Sequence, residues 1–497
     1  MSYAVFRAAP HLASRRPRRA SASTKDSHEH RNPPPVRPRR LPRPGGGLRL
    51  SDPFDDDERA DRRVGGRPVL PGGRCRDLLR EPPLLHRHRA RRGRRRAGRA
   101  LRAALRARGR PMTAGDAPLP VVLVAGIHAE ARARTVAHLL RVVPGSVVLH
   151  HDLRDAPSGA VVRELRDASG TLATGETPLV NDCACCALRE DLVPELRRLA
   201  RDGSTRLALV ELWDSVEPRA MAEVVVAHAG EPLRLGNVLT AVDPALVLAC
   251  LGNGDELAEA GLAAAPTDER TVGDTFARQL EYPGVLVLAG QDGENAPDDL
   301  ALLAQPHPTA RRSPLGSPEL PGLLRAGFDT EAAAAAQHPA MALLPQEAQE
   351  AGIGTLVWRH RRPFHPGRLF EALEELCCAA VRSRGRFWLA DRPDTLLHWD
   401  AAGGALCVET AGPWLRGLPD AAWELVPPLR RAAAALDWDP EHGDREQYLV
   451  FTSPDLDREG IAGLLASCVL TDAEMAGGTE AWKEFPASFD QFLDPVH

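Results

Sequence analysis

The run Val121-Val122-Leu123-Val124-Ala125, followed by Gly126-Ile127-His128-Ala129-Glu130-Ala131-Arg132-Ala133, decides the fold. Apolar residues without alternation suit a strand buried on both faces, as in a parallel sheet. A glycine at the strand's end and an Ala/Arg-rich stretch through Leu140 predict a strand–turn–helix unit. Downstream the pattern repeats. Ser146–Leu149 reads as a strand that runs into His150-His151-Asp152. Asp191–Arg201 reads as a helix, Arg206–Val210 as a strand with Glu211 at its carboxyl end, and Met221–Ala229 as a helix. Leu235–Val242, closed by Asp243-Pro244, and Val285–Leu288 read as further strands. Strands separated by helices at this spacing predict an α/β domain, a mostly parallel sheet covered on both faces.

That domain is expected over 112–290. Residues 291–353 are rich in Pro, Ala and Gly and read as a linker with helical pieces. From 354 to 497 the pattern changes to a smaller α+β domain. Its strands are expected at Phe387–Ala390, Leu396–Trp399, Ala405–Glu409 and Gln447–Ser453. Its helices are expected at Pro366–Ser383 and Arg458–Cys468.

Residues 1–111 differ from the rest. Positions 1–110 carry 31 Arg and Lys against 10 Asp and Glu, and the remainder carries 32 against 57. The overall net charge of −4 hides that asymmetry. The segment has no periodic apolar face and predicts a disordered Arg/Pro-rich arm, dispensable for folding. Such an arm has the charge to hold RNA electrostatically. The alternative is a misassigned start, with Met112 opening the protein; both readings stay open.

The whole chain has 497 residues, 43% of them apolar and 26% charged, which is a globular composition. No run approaches the ~20 apolar residues of a membrane helix, so no span is expected. Nine cysteines without a secretory pattern point to a reducing compartment, and the cytoplasm is expected. Three of the nine fall within four residues, in Asn181-Asp182-Cys183-Ala184-Cys185-Cys186-Ala187-Leu188-Arg189. Soft thiolates at that spacing can converge on one Zn²⁺ or Cu⁺ ion. Adjacent Cys185 and Cys186 would diverge on a strand, whereas a turn or helix start brings both sulfurs to one ion. A fourth position is left for water, a partner's ligand, or His150 or His151 on the same rim. A redox pair is the alternative, without the Cys-x-x-Cys spacing of thioredoxin-like sites.

The chain resembles the CobW-like (COG0523) family of metal-linked P-loop GTPases. The cysteine loop is similar to that family's Asn-Gly-Cys-x-Cys-Cys-x-x-Arg signature. Glu211-Leu212-Trp213-Asp214-Ser215-Val216-Glu217-Pro218 is similar to its Glu-(Ser/Thr)-(Ser/Thr)-Gly-x-x-x-Pro segment, and Asp243 falls where the family has Val-Asp-Ala. In the second domain Arg362-Pro363-Phe364-His365-Pro366-Gly367-Arg368-Leu369, Arg384-Gly385-Arg386-Phe387-Trp388 and Gly443-Asp444-Arg445-Glu446-Gln447 follow in order. The resemblance covers 118–493. It implies a P-loop-type domain followed by a CobW C-terminal-like domain, with Zn²⁺ on Cys183, Cys185 and Cys186. Size and composition further resemble the branch of ribosome hibernation factor-recruiting GTPases. That implies a protein partner, either a hibernation factor or a metal-receiving protein.

The nucleotide motifs depart from the family. A phosphate loop needs Gly-x-x-x-x-Gly-Lys-(Ser/Thr), its lysine for the β and γ oxygens and its hydroxyl for Mg²⁺. Here Gly126 is kept, while Ala131, Arg132 and Ala133 stand at the glycine, lysine and hydroxyl positions. Glu130 adds negative charge where phosphates would lie. The base-reading Asn-Lys-x-Asp becomes Ala289-Gly290-Gln291-Asp292. Gly126, Arg132 and Asp292 are therefore the residues left to contact GTP and Mg²⁺, a doubtful pair of ligands. The reading is a zinc-handling, partner-recruiting protein with a degenerate GTPase site. An active Zn-dependent GTPase metallochaperone and an interaction protein without ligand are the alternatives.

Overall fold

In the computed structural model, the described residues are 5–7, 117–154, 156, 160–178, 184–230, 232–265, 268–290, 296–341 and 344–493. Three residues of the stretch read as an arm or misassigned start form β1 (Val5–Arg7). The following segment, 8–116, lies outside the described residues, as do Cys183 and Asp292.

The parallel strands that the sequence predicts lie in the first sheet where it places them, and further strands join them. β2 (Leu119–Ala125) leads to α1 (Ala129–Val142), then β3 (Ser146–Asp152), β4 (Ala160–Asp167) and β5 (Gly170–Pro178). α2 (Ala184–Asp202), β6 (Leu207–Glu211), α3 (Pro218–Ala229) and β7 (Leu233–Val242) follow. The short α4 (Val247–Leu251), then α5 (Val272–Glu281) and β8 (Val285–Leu288), complete the run. Spatial order is β5-β4-β3-β6-β2-β7-β8, with one further strand outside β8. All pairs from β3 to β8 are parallel, and β4 and β5 add an antiparallel hairpin. β2 is central and dictates the two layers. Val121, Leu123 and Ala125 pack on α2 and α3 residues such as Leu192, Leu196 and Met221. Val122 and Val124 pack on Val136 and Leu139 of α1.

The stretch read as a linker is more ordered than that. It contains α6 (Pro297–Ala304), β9 (Arg311–Pro314), α7 (Leu320–Leu323) and α8 (Thr330–Gln337). β9 pairs in parallel with β8 and is the sheet's outer strand.

The second sheet is antiparallel throughout. β10 (Ala348–Glu350) and β11 (Ile353–His360) precede α9 (Pro366–Cys378), β12 (Arg382–Phe387), β13 (Thr395–Ala402) and β14 (Ala405–Pro413). After a lobe with α10 (Asp420–Trp423) and α11 (Pro428–Leu436) come β15 (Gln447–Pro454), α12 (Arg458–Cys468) and α13 (Asp472–Trp482). The order is β1-β14-β13-β12-β15-β11-β10. β1 lies in register with Ala405–Cys407, Phe6 meets Phe492 edge-on at 6.3 Å, and Arg7 pairs with Glu256. α9 and α12 cover one face through Leu369, Leu373, Leu376, Ile461 and Leu465.

Two expectations in this domain are corrected. The helix expected through Ser383 ends at Cys378, and the strand expected at Phe387–Ala390 lies earlier, at Arg382–Phe387. The cause is a set of buried arginines that read as a solvent face. Arg382 and Arg384 share the carboxylate of Glu281 from α5, and Arg382 also meets Asp400 of β13 at 2.5 Å. Arg386 pairs with Glu446 at 3.0 Å. Burial opposes the charge of Glu281, but the two guanidiniums hold its carboxyl below the usual range. Among the described residues no helix is long and apolar enough to cross a membrane.

Removing one partner from a buried ionic cluster strands the others. Glu281→Gln should lower stability by about 3–5 kcal/mol, read as a fall in the urea midpoint. A change within about 0.5 kcal/mol, typical of a surface site, would show that the cluster does not hold the two sheets together.

Candidate nucleotide loop and metal loop

Ligands in open α/β sheets bind at the carboxyl ends of the strands. Here the ends of β2, β6, β7 and β8 bring together Gly126, Asp214, Asp243 and Ala289. Gly126 is required by space and conformation. Its φ is +133°, and a Cβ would lie 2.3 Å from the Ala241 carbonyl oxygen of β7.

An intact phosphate loop would keep residues between its two glycine positions open to wrap the phosphates. Instead α1 begins at Ala129, and the Arg132 N–H donates to the His128 carbonyl at 3.1 Å. Ile127 and His128 are all that separates Gly126 from the helix. Alanines at 129, 131 and 133 explain this, since they favour helix where a glycine would resist it. Glu130 and Ala133 lie exposed on the first turns.

Arg132 turns inward. Its side chain is 4% exposed and donates to the Gly126 carbonyl and to Asp214. Asp214 occupies the glycine position of the Glu-(Ser/Thr)-(Ser/Thr)-Gly-like segment. The two departures from the motifs, one cationic and one anionic, therefore pair with each other. Sequence reasoning noted each segment separately and missed the pair; their opposite charges were the available signal. Asp214 is then fixed from behind, because Gln279 of α5 donates to its carbonyl at 2.7 Å.

Several other polar groups near this loop are engaged, while the buried Ser215 Oγ and Trp213 Nε1 have no hydrogen-bond partner among the described residues. The Asp243 N–H donates to His128 Nδ1 at 3.0 Å, which leaves Nε2 to face Cys250 Sγ at 3.3 Å. Burial pushes His128 down to about 4, against Asp243 and with help from Arg132. Burial pushes the Cys250 thiol up to about 11. The pair is thus neutral and carries no thiolate. Arg134 donates to the Ala289 carbonyl and lies 3.6 Å from Asp243. The base-reading position Asp292 is not among the described residues.

On the metal side, α2 starts at Ala184, so Cys185 and Cys186 occupy its first turn, a helix start as the spacing allows. The two histidines weighed as ligands are held by protein groups. His151, 4% exposed, meets Asp191 of α2 at 2.8 Å, and Arg163 meets the other oxygen at 2.6 Å. Burial opposes the Asp191 charge, but the His151 hydrogen bond, with Arg163, keeps its carboxyl below the usual range. His150 donates through Nδ1 to the Glu211 carbonyl at 3.0 Å, and Glu211 pairs with Arg166. Among the described residues no group of three His, Cys, Asp or Glu side chains is placed to hold a metal.

Residues 165–310 match the CobW/HypB/UreG nucleotide-binding domain, and residues 353–469 match the cobalamin synthesis protein cobW C-terminal domain. Zinc chaperone Rv0106 of Mycobacterium tuberculosis is 32% identical over 405 residues, covering 76% of this chain and 94% of that protein. Zinc-regulated GTPase metalloprotein activator 1 of Dictyostelium discoideum is 28% identical over 341 residues, covering 63% and 70%. The Zn(II)-bound YjiA GTPase of E. coli is a structural neighbour at 16% identity and a TM-score of 0.30, covering 71% of this chain and 99% of that one. The chain belongs to the CobW-like (COG0523) GTPase family.

The neutral, buried His128 makes stability depend on pH. Its folded value lies below the ordinary 6.5, so its contribution is full above pH 6.5 and lost as pH falls toward about 4. His128→Gln should flatten that acid-side loss in urea midpoints. An unchanged slope would mean that His128 is already charged in the fold.

Proposed function

We propose that this chain handles Zn²⁺ as cargo and acts through a protein partner, with its nucleotide site closed. The zinc reading is supported by the donor set: three thiols at Cys183, Cys185 and Cys186, two of them on the first turn of α2. The positive end of a helix favours anionic ligands there, and soft thiolates fit Zn²⁺. Two relatives whose names carry zinc lend further support.

The closed nucleotide site is supported above all by the Arg132–Asp214 pair. A triphosphate needs a cation that faces it and amides that wrap it. Arg132 is committed to protein oxygens on the inner side, and the loop that would offer amides is wound into α1. Asp214 adds negative charge near the place a γ-phosphate would take, and Ala133 has no hydroxyl for Mg²⁺. The residues present do not fit GTP and Mg²⁺.

Resemblance to the CobW-like family implies that nucleotide state would gate metal transfer; a closed gate would make metal loading or partner recruitment constitutive. By resemblance the partner is a ribosome hibernation factor or a metal-receiving protein, and the thiol-rich composition supports the cytoplasm as the compartment. The boundaries 112–290, 291–353 and 354–497 remain the proposed division, with β9 serving the first sheet.

Elemental analysis of the freshly purified full chain tests the metal assignment. Near-stoichiometric zinc is expected, and replacement of all three cysteines by serine should remove it while the melting temperature of the rest holds. Unchanged zinc in that variant would place the metal elsewhere.

A further inference from the structure

β1 sits at the seam between the two domains. Val5, Phe6 and Arg7 pair antiparallel with Cys407, Leu406 and Ala405, at the start of β14. β14 follows directly on a turn at Gly403-Gly404, and that turn packs closely on the first domain. A Cβ on Gly403, whose φ is +59°, would lie 2.5 Å from the Asn253 carbonyl oxygen. One on Gly254 would lie 2.5 Å from the Gly403 carbonyl oxygen. β1 therefore touches both domains: its main chain and Phe6 lie on the second, and Arg7 reaches the first.

Successive side chains of a strand leave on opposite faces. Phe6 packs against the second domain's core and stands edge-on to Phe492, which also meets Phe370 at 6.2 Å and Phe489 at 5.9 Å. Arg7 pairs with Glu256 and donates to the Glu269 carbonyl at 2.9 Å. Those two residues belong to an acidic corner. Asp255, Glu259 and Glu269 are exposed, and the Glu256 N–H donates to the Glu259 carboxylate at 3.4 Å. Glu256 lies beside Thr271 in an antiparallel bridge, and the neighbouring Arg270 is already held by Asp268 and Glu217. The surface thus offers a strand edge, an aromatic socket and an acidic corner to one short segment.

The hold on β1 is light. It pairs through three residues, Phe6 is half-buried, and Arg7 and Glu256 each keep 38% of their side-chain surface exposed. An ion pair that exposed contributes little. Past Cys407 no described strand lies beside β14, so its edge is open there to a longer one.

We propose that the β14 edge, Phe492 and Glu256 form a docking site for an extended partner segment that carries an aromatic residue followed by Arg, and that β1 is its resident, displaceable occupant. Strand addition supplies main-chain hydrogen bonds, and the pockets for alternate side chains supply the selectivity. Attachment to the same chain gives β1 an effective concentration that a partner must exceed. A partner strand that continues along β14 beyond Cys407 makes pairings that β1 does not, displaces it, and removes its contact between the domains. The inference uses neither the zinc loop nor the nucleotide loop, so it stands or falls apart from both.

The test uses the full chain and its Phe6→Asp/Arg7→Glu variant, which vacates the site. The probe is a fluorescein-labelled peptide of residues 2–10, and binding is read by anisotropy. The variant is expected to bind it saturably, and the parent at least tenfold more weakly because β1 holds the edge. Adding Glu256→Arg to the variant should weaken that peptide about fivefold and favour the same peptide carrying Arg7→Glu. Cooperative melting checks the variant's fold. Glu256→Arg alone, at a half-exposed position, gives an independent reading by admitting the Arg7→Glu peptide that the parent refuses. Four results would overturn the proposal. The peptide could bind neither protein, or both equally. Glu256→Arg could leave the choice between the two peptides unchanged. Or the parent could be a dimer that the variant dissociates, which would assign β1 to the edge of a second copy of this chain.

Discussion

The arrangement of the first domain turns on the buried contact of Arg132 with Asp214 and the Gly126 carbonyl. Two charges withdrawn from water cost several kcal/mol each and are tolerated only when paired and hydrogen-bonded. Once Arg132 points inward, it needs Asp214, and Asp214 in turn needs Arg132. The pair draws the end of β2, the start of α1 and the segment after β6 into one fixed geometry. It places a protein cation where a phosphate-loop motif has its lysine, and a protein anion three residues after β6. In the proposed reading these two charges close the phosphate loop, whose residues from Ala129 onward lie in α1.

The constraint extends beyond the loop through α5. Gln279 bonds the carbonyls of Asp214 and Val216, and Arg278 reaches Glu217 at 3.2 Å. On its other side the same helix meets the second sheet, where Glu281 receives Arg382 and Arg384 and Arg278 lies 3.8 Å from Asp400. Val272, Phe276 and Leu280 pack with Ile353 and Ala402 beside these charges. α5 therefore joins a closed loop to the second domain by polar contacts on one flank and apolar contacts on the other. Arg382 and Arg384 are held by Glu281, distant in the chain, whereas Arg278 meets distant Glu217 and Asp400 and also, at 3.1 Å, Asp274 one turn earlier in α5.

That is also why the sequence revealed some elements and hid others. β2, β7 and β8 are continuous apolar runs buried on both faces, and such runs are legible without a partner. β12 was misplaced because Arg382, Arg384 and Arg386 look like a solvated face until Glu281, Asp400 and Glu446 are known. The β4–β5 hairpin was missed because Arg163, Glu164 and Arg166 crowd its strand, while Val161 and Leu165 alone carry the inward face. β9 and β1 are too short to announce themselves, at four and three residues. At the site, Gly126 and the altered motif positions were legible one by one. Their pairing was not, because sequence separation of 82 residues hides contact between Arg132 and Asp214.

The central claim is that Arg132 and Asp214 have closed the nucleotide site. A titration with a fluorescent guanine nucleotide in the presence of Mg²⁺ tests it most directly. The comparison chain carries Ala131→Gly, Arg132→Lys, Ala133→Thr and Asp214→Gly together. The unmodified chain is expected to show no saturable binding, and the comparison chain to gain Mg²⁺-dependent binding. Tight, Mg²⁺-dependent binding by the unmodified chain, abolished by Arg132→Ala, would contradict the account.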